Sequence, residues 1–150
     1  MHRKETILVV ACSVDDCSPQ IIGYVLERAL ELGALDAYAT PLLMKKQRPG
    51  VEVTLLARPG QRTALVALLL EETTTLGVRV GRCERVVAPR RMLEVETEYG
   101  RIRVKCSGDK LAPEYEDCRA AARRGGVPLR RVQAAAIRSA AGYVDNVIIR

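Results

Sequence analysis

Two adjacent carboxylates, Asp15 and Asp16, lie between a predicted strand and a predicted helix. Paired carboxylates in a loop suit a hard divalent cation such as Mg²⁺ or Mn²⁺, which one or two carboxylates usually bind together with phosphate oxygens. The same residues have a structural interpretation, in which Asp16 stabilises the positive end of the helix dipole and Asp15 is solvated. Their spacing alone favours the structural interpretation.

A short cationic segment concentrates Lys45, Lys46 and Arg48 within four residues, and Gly50 follows. Arginine contacts phosphate through two parallel N–H groups, lysine acts as a point charge, and glycine lets a ligand approach the backbone closely. The segment therefore suits a polyphosphate. A solvated loop that ends in the turn-forming Pro49-Gly50 pair explains the same residues equally well.

Three consecutive hydroxyl residues, Thr73, Thr74 and Thr75, precede Arg79 by a few positions. Hydroxyls and a guanidinium can together bind phosphate oxygens. A run of β-branched hydroxyl residues also favours leaving a helix, and a helix is predicted to end here. The segment is therefore compatible with a phosphate site and with a simple helix exit.

Acidic residues cluster at the predicted start of a later helix, where Glu114 and Asp117 lie three residues apart beside Tyr115. The helix dipole stabilises acids in a first turn, so capping is favoured over ligand binding. His2 is the single histidine, which argues against a Ser-His or Cys-His catalytic pair and excludes a multi-histidine metal site within one chain. We assign no catalytic residue.

The net charge of +6 is a regional property of the chain. Residues 119–138 contain six arginines and no acid, while 18 basic and 18 acidic residues balance elsewhere. Such a region is either an anion-facing surface or a pair of solvated helix faces, and we favour the solvated faces. The arginines are Arg119, Arg123, Arg124, Arg130, Arg131 and Arg138.

Composition limits the class of protein. The 150 residues are 48% hydrophobic, which is typical of a globular chain with its own core. Five tyrosines without Phe or Trp argue against binding of single-stranded nucleic acid by aromatic stacking. Five cysteines without a CxxC pair indicate reduced thiols, and we find neither a signal-peptide core nor an apolar run of roughly 20 residues. We therefore expect a cytoplasmic protein without a membrane partner.

Hydrophobic periodicity predicts an α+β fold with a ferredoxin-like βαββαβ core, in which two helices pack on one face of a sheet. A cationic loop over 44–50 is expected between the second and third strands. The predicted strands are 6–12, 36–43, 51–57 and 77–87, and the predicted helices are 18–33 and 63–72.

A β-hairpin is predicted to follow this core. If Tyr99-Gly100 is its two-residue loop, Glu98 faces Arg101 across the strands. Two further opposite-charge pairs then lie on the same face of the hairpin and stabilise it, so we interpret these charges as structural. Those pairs are Glu96 with Arg103 and Glu94 with Lys105.

A helical pair completes the chain, with Pro113 opening the first helix and Pro128 opening a second that runs to about residue 140. The apolar run Val147-Ile148-Ile149 is interpreted as a strand or an oligomer contact. We therefore divide the chain into 1–107, the core with its added hairpin, and 108–150, a C-terminal helical extension packed on the same domain.

Several long motifs, in this order, resemble the C-terminal domain of the nickel insertion protein LarC family, over about residues 11–136. They are Asp15-Asp16 before a helix with Gly23-Tyr24, Glu31-Leu32-Gly33-Ala34-Leu35-Asp36-Ala37-Tyr38, Thr40-Pro41, Met44-Lys45-Lys46-Gln47-Arg48-Pro49-Gly50, Glu72-Thr73-Thr74-Thr75-Leu76-Gly77-Val78-Arg79 and Ala112-Pro113-Glu114-Tyr115-Glu116-Asp117-Cys118.

The resemblance implies a part in making the nickel-pincer nucleotide cofactor. In that family a CTP-dependent nickel chelatase of the lyase class inserts nickel, its substrate metal, into pyridinium-3,5-bisthiocarboxylic acid mononucleotide. The C-terminal region binds CTP with Mg²⁺ or Mn²⁺ and forms homo-oligomers, and a histidine-rich N-terminal half handles nickel. Because this chain lacks that half, we expect a domain that is inactive alone and a separate histidine-rich N-terminal chain as its partner.

The resemblance also implies a nucleotide site and a metal site. Asp15 and Asp16 would hold the metal. The family commonly has an acid, Thr and Asn where this chain has Ala11, Cys12 and Ser13, and Met in place of Cys17, so Cys12 and Cys17 are candidate thiolate ligands. The CTP-binding residues would be Lys45, Lys46, Arg48, Thr73, Thr74, Thr75, Arg79, Glu114, Tyr115 and Asp117.

Two other function classes compete with this interpretation. The C-terminal helices joined at Gly125-Gly126 loosely fit a helix-turn-helix, with Arg130 and Arg131 where base contacts are made, although the strand-rich front of the chain is then unexplained and nucleic acid is disfavoured. The other is a non-catalytic assembly domain, in which every charge is a cap, a pair or a solvated face.

Overall fold

The computed structural model describes residues 2–148, except for the side chains of 144–148. The chain forms two compact units: an N-terminal unit, Lys4–Val87, and a C-terminal unit that begins at Ala88. No helix within the described part is long and apolar enough to cross a membrane. The mixed class of the fold, with its added hairpin and C-terminal helical pair, is confirmed.

The N-terminal unit has the predicted element order β-α-β-β-α-β, and its sheet order is β2-β3-β1-β4. Strand β3 pairs antiparallel with both β1 and β2. The finer ferredoxin-like assignment stays a prediction. The elements are β1 (Arg3–Val14), α1 (Pro19–Glu31), β2 (Asp36–Met44), β3 (Arg48–Ala57), α2 (Arg62–Glu72) and β4 (Arg79–Val87).

Helix α1 forms where local sequence signals predict it. The Ser18 hydroxyl accepts a hydrogen bond from the Gln20 N–H at 3.3 Å, and Pro19 occupies the first helical position. Val25 and Ala29 lie on the buried face, against strands whose inward side chains include the fully buried Leu55. Gly33 ends the segment at φ +89°, a conformation that favours glycine.

Strand β3 begins earlier than predicted. Arg48, Pro49 and Gly50 already pair with β2, so only a single turn of 3₁₀ helix, Lys45–Gln47, separates the two strands. Pro49 is tolerated because β1 pairs with β3 only from Val51 onward, so the missing N–H of Pro49 leaves no bond to β1 unmade. The predicted loop 44–50 was therefore wrong in extent.

The C-terminal unit places three antiparallel strands against two helices, and its core includes Val95, Ile102, Cys118 and Val132. The four-residue strand β7 was not predicted, because so short a segment has too little periodicity to be recognised. The elements are β5 (Arg91–Thr97), β6 (Gly100–Ser107), β7 (Lys110–Pro113), α3 (Tyr115–Gly125) and α4 (Leu129–Ile148).

The predicted register of the hairpin was wrong. Its two-residue loop is Glu98-Tyr99, and Thr97 pairs with Gly100. Glu96 and Glu94 therefore oppose Arg101 and Arg103 rather than Arg103 and Lys105. The turn is fixed by the Thr97 hydroxyl, which donates to the Gly100 carbonyl at 2.7 Å and accepts from the Tyr99 N–H at 3.1 Å. A one-residue shift of the loop thus moves every cross-strand pair by two positions.

The boundary between the two units falls in the sequence between Val87 and Ala88, whereas we expected a division at 107/108. The hairpin belongs with the C-terminal helices because the inward side chains of β5 and β6 form one core with α3 and α4. Helix α4 continues past the predicted end near residue 140 to Ile148, so Val147 and Ile148 are helical. Ile149 lies outside the described residues.

Candidate functional site

Both predicted metal-binding carboxylates lie at the end of β1, where they contact two other segments of the N-terminal unit. Asp15 Oδ2 lies 2.7 Å from Arg48 Nε at the start of β3. Asp16 Oδ1 accepts a hydrogen bond from the hydroxyl of Thr74, between α2 and β4. The structure therefore brings together three segments that are distant in sequence and that the prediction assigned to one site.

The other two threonines have structural roles at the end of α2. The Thr73 hydroxyl donates to the Leu69 carbonyl at 2.6 Å and accepts from the Thr75 N–H at 3.2 Å. The Thr75 hydroxyl donates to the Gly77 carbonyl at 2.9 Å. Of the three threonines, Thr74 is the exposed one, and its hydroxyl is bonded to a carboxylate.

Arg79 extends this edge of the sheet. Its Nη2 group donates to the Ser13 hydroxyl at 3.1 Å and forms an ion pair with Glu52. The sequence analysis did not assign Glu52 to the site. Glu52 is a charged residue within the otherwise largely apolar strand Val51–Ala57. That charge was the feature of the sequence that could have identified Glu52 as a site residue.

The turn Lys45–Gln47 exposes its two lysine side chains, and no ion pair of either lysine occurs among the described residues. Lys46 and Gln47 have φ values of 61° and 60°, in the left-handed region that residues with a Cβ seldom occupy. Strained backbone of this kind is concentrated at ligand-binding segments. The turn therefore holds two unpaired cations next to Arg48.

Two small recesses share Cys17 and Val51 as lining residues, and Asp15 lines one of them. One of about 190 Å³ is lined by Asp15, Cys17 and Gly50 among others, and one of about 170 Å³ has mostly apolar walls that include Ile22 and Pro41. Of these lining residues, the sequence analysis named Asp15 as a metal ligand, Cys17 as a candidate thiolate ligand and Gly50 as a point of close approach. Pro41 and Val51 were not predicted as site residues, because their role depends on the register of β2 and β3.

Cys12 does not suit the thiolate role suggested by its position before the aspartates. The side chain is fully buried, and desolvation raises the pKa of the thiol despite hydrogen bonds with Thr73 and Thr75. A raised pKa keeps the thiol protonated at neutral pH, and thiols bind metals as thiolates. Within residues 2–148 no group of three or more His, Cys, Asp or Glu side chains is placed to hold a metal ion.

The remaining predicted residues, Glu114, Tyr115 and Asp117, belong to the C-terminal unit. Arg103 donates to both carboxylate oxygens of Asp117 at 2.7 and 2.8 Å, and Lys105 forms an ion pair with Glu114 at 2.6 Å. These contacts tie the start of α3 to β6, and Tyr115 is exposed. The role of these three residues in nucleotide binding stays a prediction.

Arg103 gives Asp117 an unusual acidity. Side-chain hydrogen bonds from Arg103 lower the pKa of Asp117 from 3.8 to about 2. The contribution of this carboxylate to stability is therefore fully present above about pH 4 and is lost as pH falls through 2. We expect an NMR titration of the Asp117 carboxyl carbon to have its midpoint near 2.

The variant Arg103→Ala provides the control for this titration. Its Asp117 midpoint should return towards 3.8, because the hydrogen bonds that favour the ionised form are gone. An unshifted midpoint in the unmodified chain would contradict the arrangement of Arg103 and Asp117 described above.

A sequence model of the family described as "Nickel insertion protein" matches residues 1–133. Relatives in Thermotoga petrophila and Acetivibrio thermocellus are named pyridinium-3,5-bisthiocarboxylic acid mononucleotide nickel insertion protein. The chain is 38% identical to the first and 45% to the second, over 97% and 85% of its own length. The matches cover only 38% and 32% of these relatives, so the chain spans about a third of their length.

One solved structure is described as LarC2, the C-terminal domain of a cyclometallase involved in the synthesis of the NPN cofactor of lactate racemase, in its apo form. It matches with a TM-score of 0.84 and 36% identity, and covers 92% of this chain and 99% of that chain. A protein from Methanopyrus kandleri, at 21% identity, shares the fold alone, with a TM-score of 0.64 over 93% of this chain and 91% of its own.

Proposed function

Because the chain belongs to the nickel insertion protein family, we propose that it binds CTP with Mg²⁺ or Mn²⁺ and serves nickel insertion during synthesis of the nickel-pincer cofactor. The observation that supports this site is the meeting of Asp15, Asp16, Arg48 and Thr74 at one edge of the N-terminal sheet. Carboxylates for a metal and cations for phosphates are then neighbours.

We assign binding of the CTP phosphates to the lysine and arginine side chains at this edge of the sheet. Lys45 and Lys46 have no ion pair among the described residues, so their charges are available to a ligand. Arg48 is paired with Asp15 and Arg79 with Glu52. A triphosphate therefore gains most from the two lysines, and the paired arginines hold the carboxylates in position.

The donor set fits a hard divalent cation. Asp15 Oδ2 is buried and has no hydrogen bond of good geometry, although the Arg48 guanidinium is adjacent. Mg²⁺ is commonly bound by one or two carboxylates together with phosphate oxygens and water, which matches Asp15 and Asp16 beside a nucleotide. The cation would neutralise charge on the phosphates when bound. Nickel would be the substrate metal of the complete enzyme and not the cation held at this site.

Calorimetric titration of the chain with CTP tests the proposal. We expect binding in the presence of Mg²⁺ or Mn²⁺ that weakens by about 10-fold or more in Lys45→Ala/Lys46→Ala, because two unpaired cations are removed. The matched control is Lys110→Ala/Arg123→Ala, which removes two exposed cations of the C-terminal unit. Absence of binding at millimolar CTP, or an equal loss in the control, would refute this function.

The domain is proposed to act in the cytoplasm as a homo-oligomer, with the cofactor precursor reaching it through a histidine-rich chain or segment of the complete enzyme. Large apolar side chains exposed on the N-terminal unit support assembly, since buried contact between copies would remove them from water. Leu76 and Leu43 are 100% and 69% exposed. We expect no nickel insertion by this chain alone.

A further inference from the structure

A recess rich in arginine lies on the C-terminal unit, and none of its lining residues is assigned to CTP or metal. It has a volume of about 400 Å³ and is lined by Tyr99, Arg130, Arg131, Ala134 and Arg138. Arg131, Ala134 and Arg138 follow each other at spacings of three and four on α4, so they share one helix face. The small Ala134 side chain leaves the space between the two guanidinium groups open.

The arginines of this recess differ in their partners from four other cations of the unit, which are held in close ion pairs. Arg138 approaches Glu98 only to 3.9 Å, and Arg130 and Arg131 form no ion pair with any described residue. Four other cations of the unit each have a carboxylate within 3.3 Å. These pairs are Arg101 with Glu94 and Glu96, Arg103 with Asp117, Lys105 with Glu114, and Arg119 with Glu116.

Hydrogen bonds hold the wall of the recess in place. Arg124 Nη2 donates to the Tyr99 carbonyl at 3.0 Å, and the Ser139 hydroxyl donates to the Glu96 carbonyl at 3.0 Å, which ties α4 to β5. Tyr99 also packs against the core of the unit. The backbone that carries the recess is therefore fixed, and a ligand would have to order only the exposed arginine side chains.

We propose that this recess binds the phosphate monoester of a small molecule such as a mononucleotide. Arginine binds phosphate through paired N–H groups, and three guanidiniums with at most one distant carboxylate match a dianion. The ring of Tyr99 offers an aromatic edge or face to the organic part of the ligand. The recess shares no residue with the proposed CTP site, so this inference goes beyond the proposed function.

Duplex DNA is the other polyanion that Arg130 and Arg131 suggest, and the geometry disfavours it. A recognition helix has to protrude so that its side chains reach the base edges in the major groove. The guanidiniums of α4 instead line a concave surface beside the β5–β6 turn. A concave site of about 400 Å³ has the size of a small-molecule pocket.

The test uses nicotinamide mononucleotide as the phosphate monoester and nicotinamide riboside as the same molecule without phosphate, at constant ionic strength. NMR titration of the whole chain should show saturable shifts at Tyr99 and Ala134 with the mononucleotide only. Arg130→Ala/Arg131→Ala should weaken binding at least about 10-fold. Arg82→Ala/Arg123→Ala has the same change in charge and should bind normally.

Each result decides the proposal. Inorganic phosphate that binds as tightly as the mononucleotide supports a site for the phosphate group itself, and weaker phosphate binding supports a site for the whole monoester. No shift at 10-fold molar excess up to millimolar concentration, equal binding of the riboside, or tighter salt-sensitive binding of a DNA duplex overturns it. Unchanged binding of CTP by Arg130→Ala/Arg131→Ala shows that the variant is folded, so failure here is separable from failure of the CTP site.

Discussion

Replacing Asp15 and Asp16 together by asparagine is expected to lower the affinity for metal-bound CTP by about 100-fold, because both proposed metal ligands lose their charge. Metal-free CTP should bind at least as well as before. Two negative charges next to the phosphates are removed, and Arg48 loses the carboxylate at 2.7 Å that now neutralises it. Opposite changes with and without metal are therefore the signature of a metal site, measured by calorimetry in Mg²⁺ and in EDTA.

The control for this variant is Glu71→Gln/Glu72→Gln, which removes two adjacent exposed acids at the end of α2. Its binding of CTP should be unchanged in both buffers. If the aspartate variant weakens CTP equally with and without Mg²⁺, the carboxylates position Arg48 and Thr74 and do not hold a metal. That result would contradict the metal assignment and leave the nucleotide assignment standing.

Elements with strong local signals could be predicted from the sequence. Helix α1 has a cap at Ser18, a proline at its first position and a glycine after its end, so each boundary has its own chemical cause. The hairpin strands alternate between apolar and charged residues, so their faces were predicted correctly even where their pairing was not. These features depend on neighbours within a few residues.

Features that depend on pairing between distant strands could not be predicted. The hairpin register is set by the hydrogen bonds of Thr97, and several loops are compatible with the same alternation. The start of β3 at Arg48 depends on β2 lying beside it. The boundary between the two units likewise depends on which core the hairpin side chains join.

For the candidate site, too, the residue types could be predicted from the sequence and the contacts between them could not. The residue types at Asp15, Asp16 and Lys45 indicated metal and phosphate chemistry, but the spacing could not show that Asp15 is paired with Arg48 or that Asp16 meets Thr74. These contacts join segments about 30 and 60 residues apart, which only the sheet topology brings together. The buried environment that raises the Cys12 pKa is also a property of packing.

Gly50 lies at the point where β3 passes close to the end of β1, directly before the proposed metal ligands. A Cβ at this position would lie 2.6 Å from Met44 Sδ and 2.8 Å from the Val14 carbonyl oxygen. The Met44 side chain can move, but the Val14 carbonyl belongs to β1, directly before Asp15. We expect Gly50→Ala to lower the free energy of unfolding by about 1 to 3 kcal/mol, the usual cost of overpacking, as measured by urea denaturation.

Gly23→Ala is the matched control, since a Cβ there would meet nothing within 4 Å and the residue is exposed within α1. Alanine is a better helix former than glycine, so this change should raise the free energy of unfolding by about 0.5 to 1 kcal/mol.

Gly50→Ala should also weaken CTP binding, because relief of the contact displaces the end of β1 and its carboxylates. Full stability with normal CTP affinity in Gly50→Ala would show that neither the close approach of β1 and β3 nor the recess beside Asp15 matters to the site.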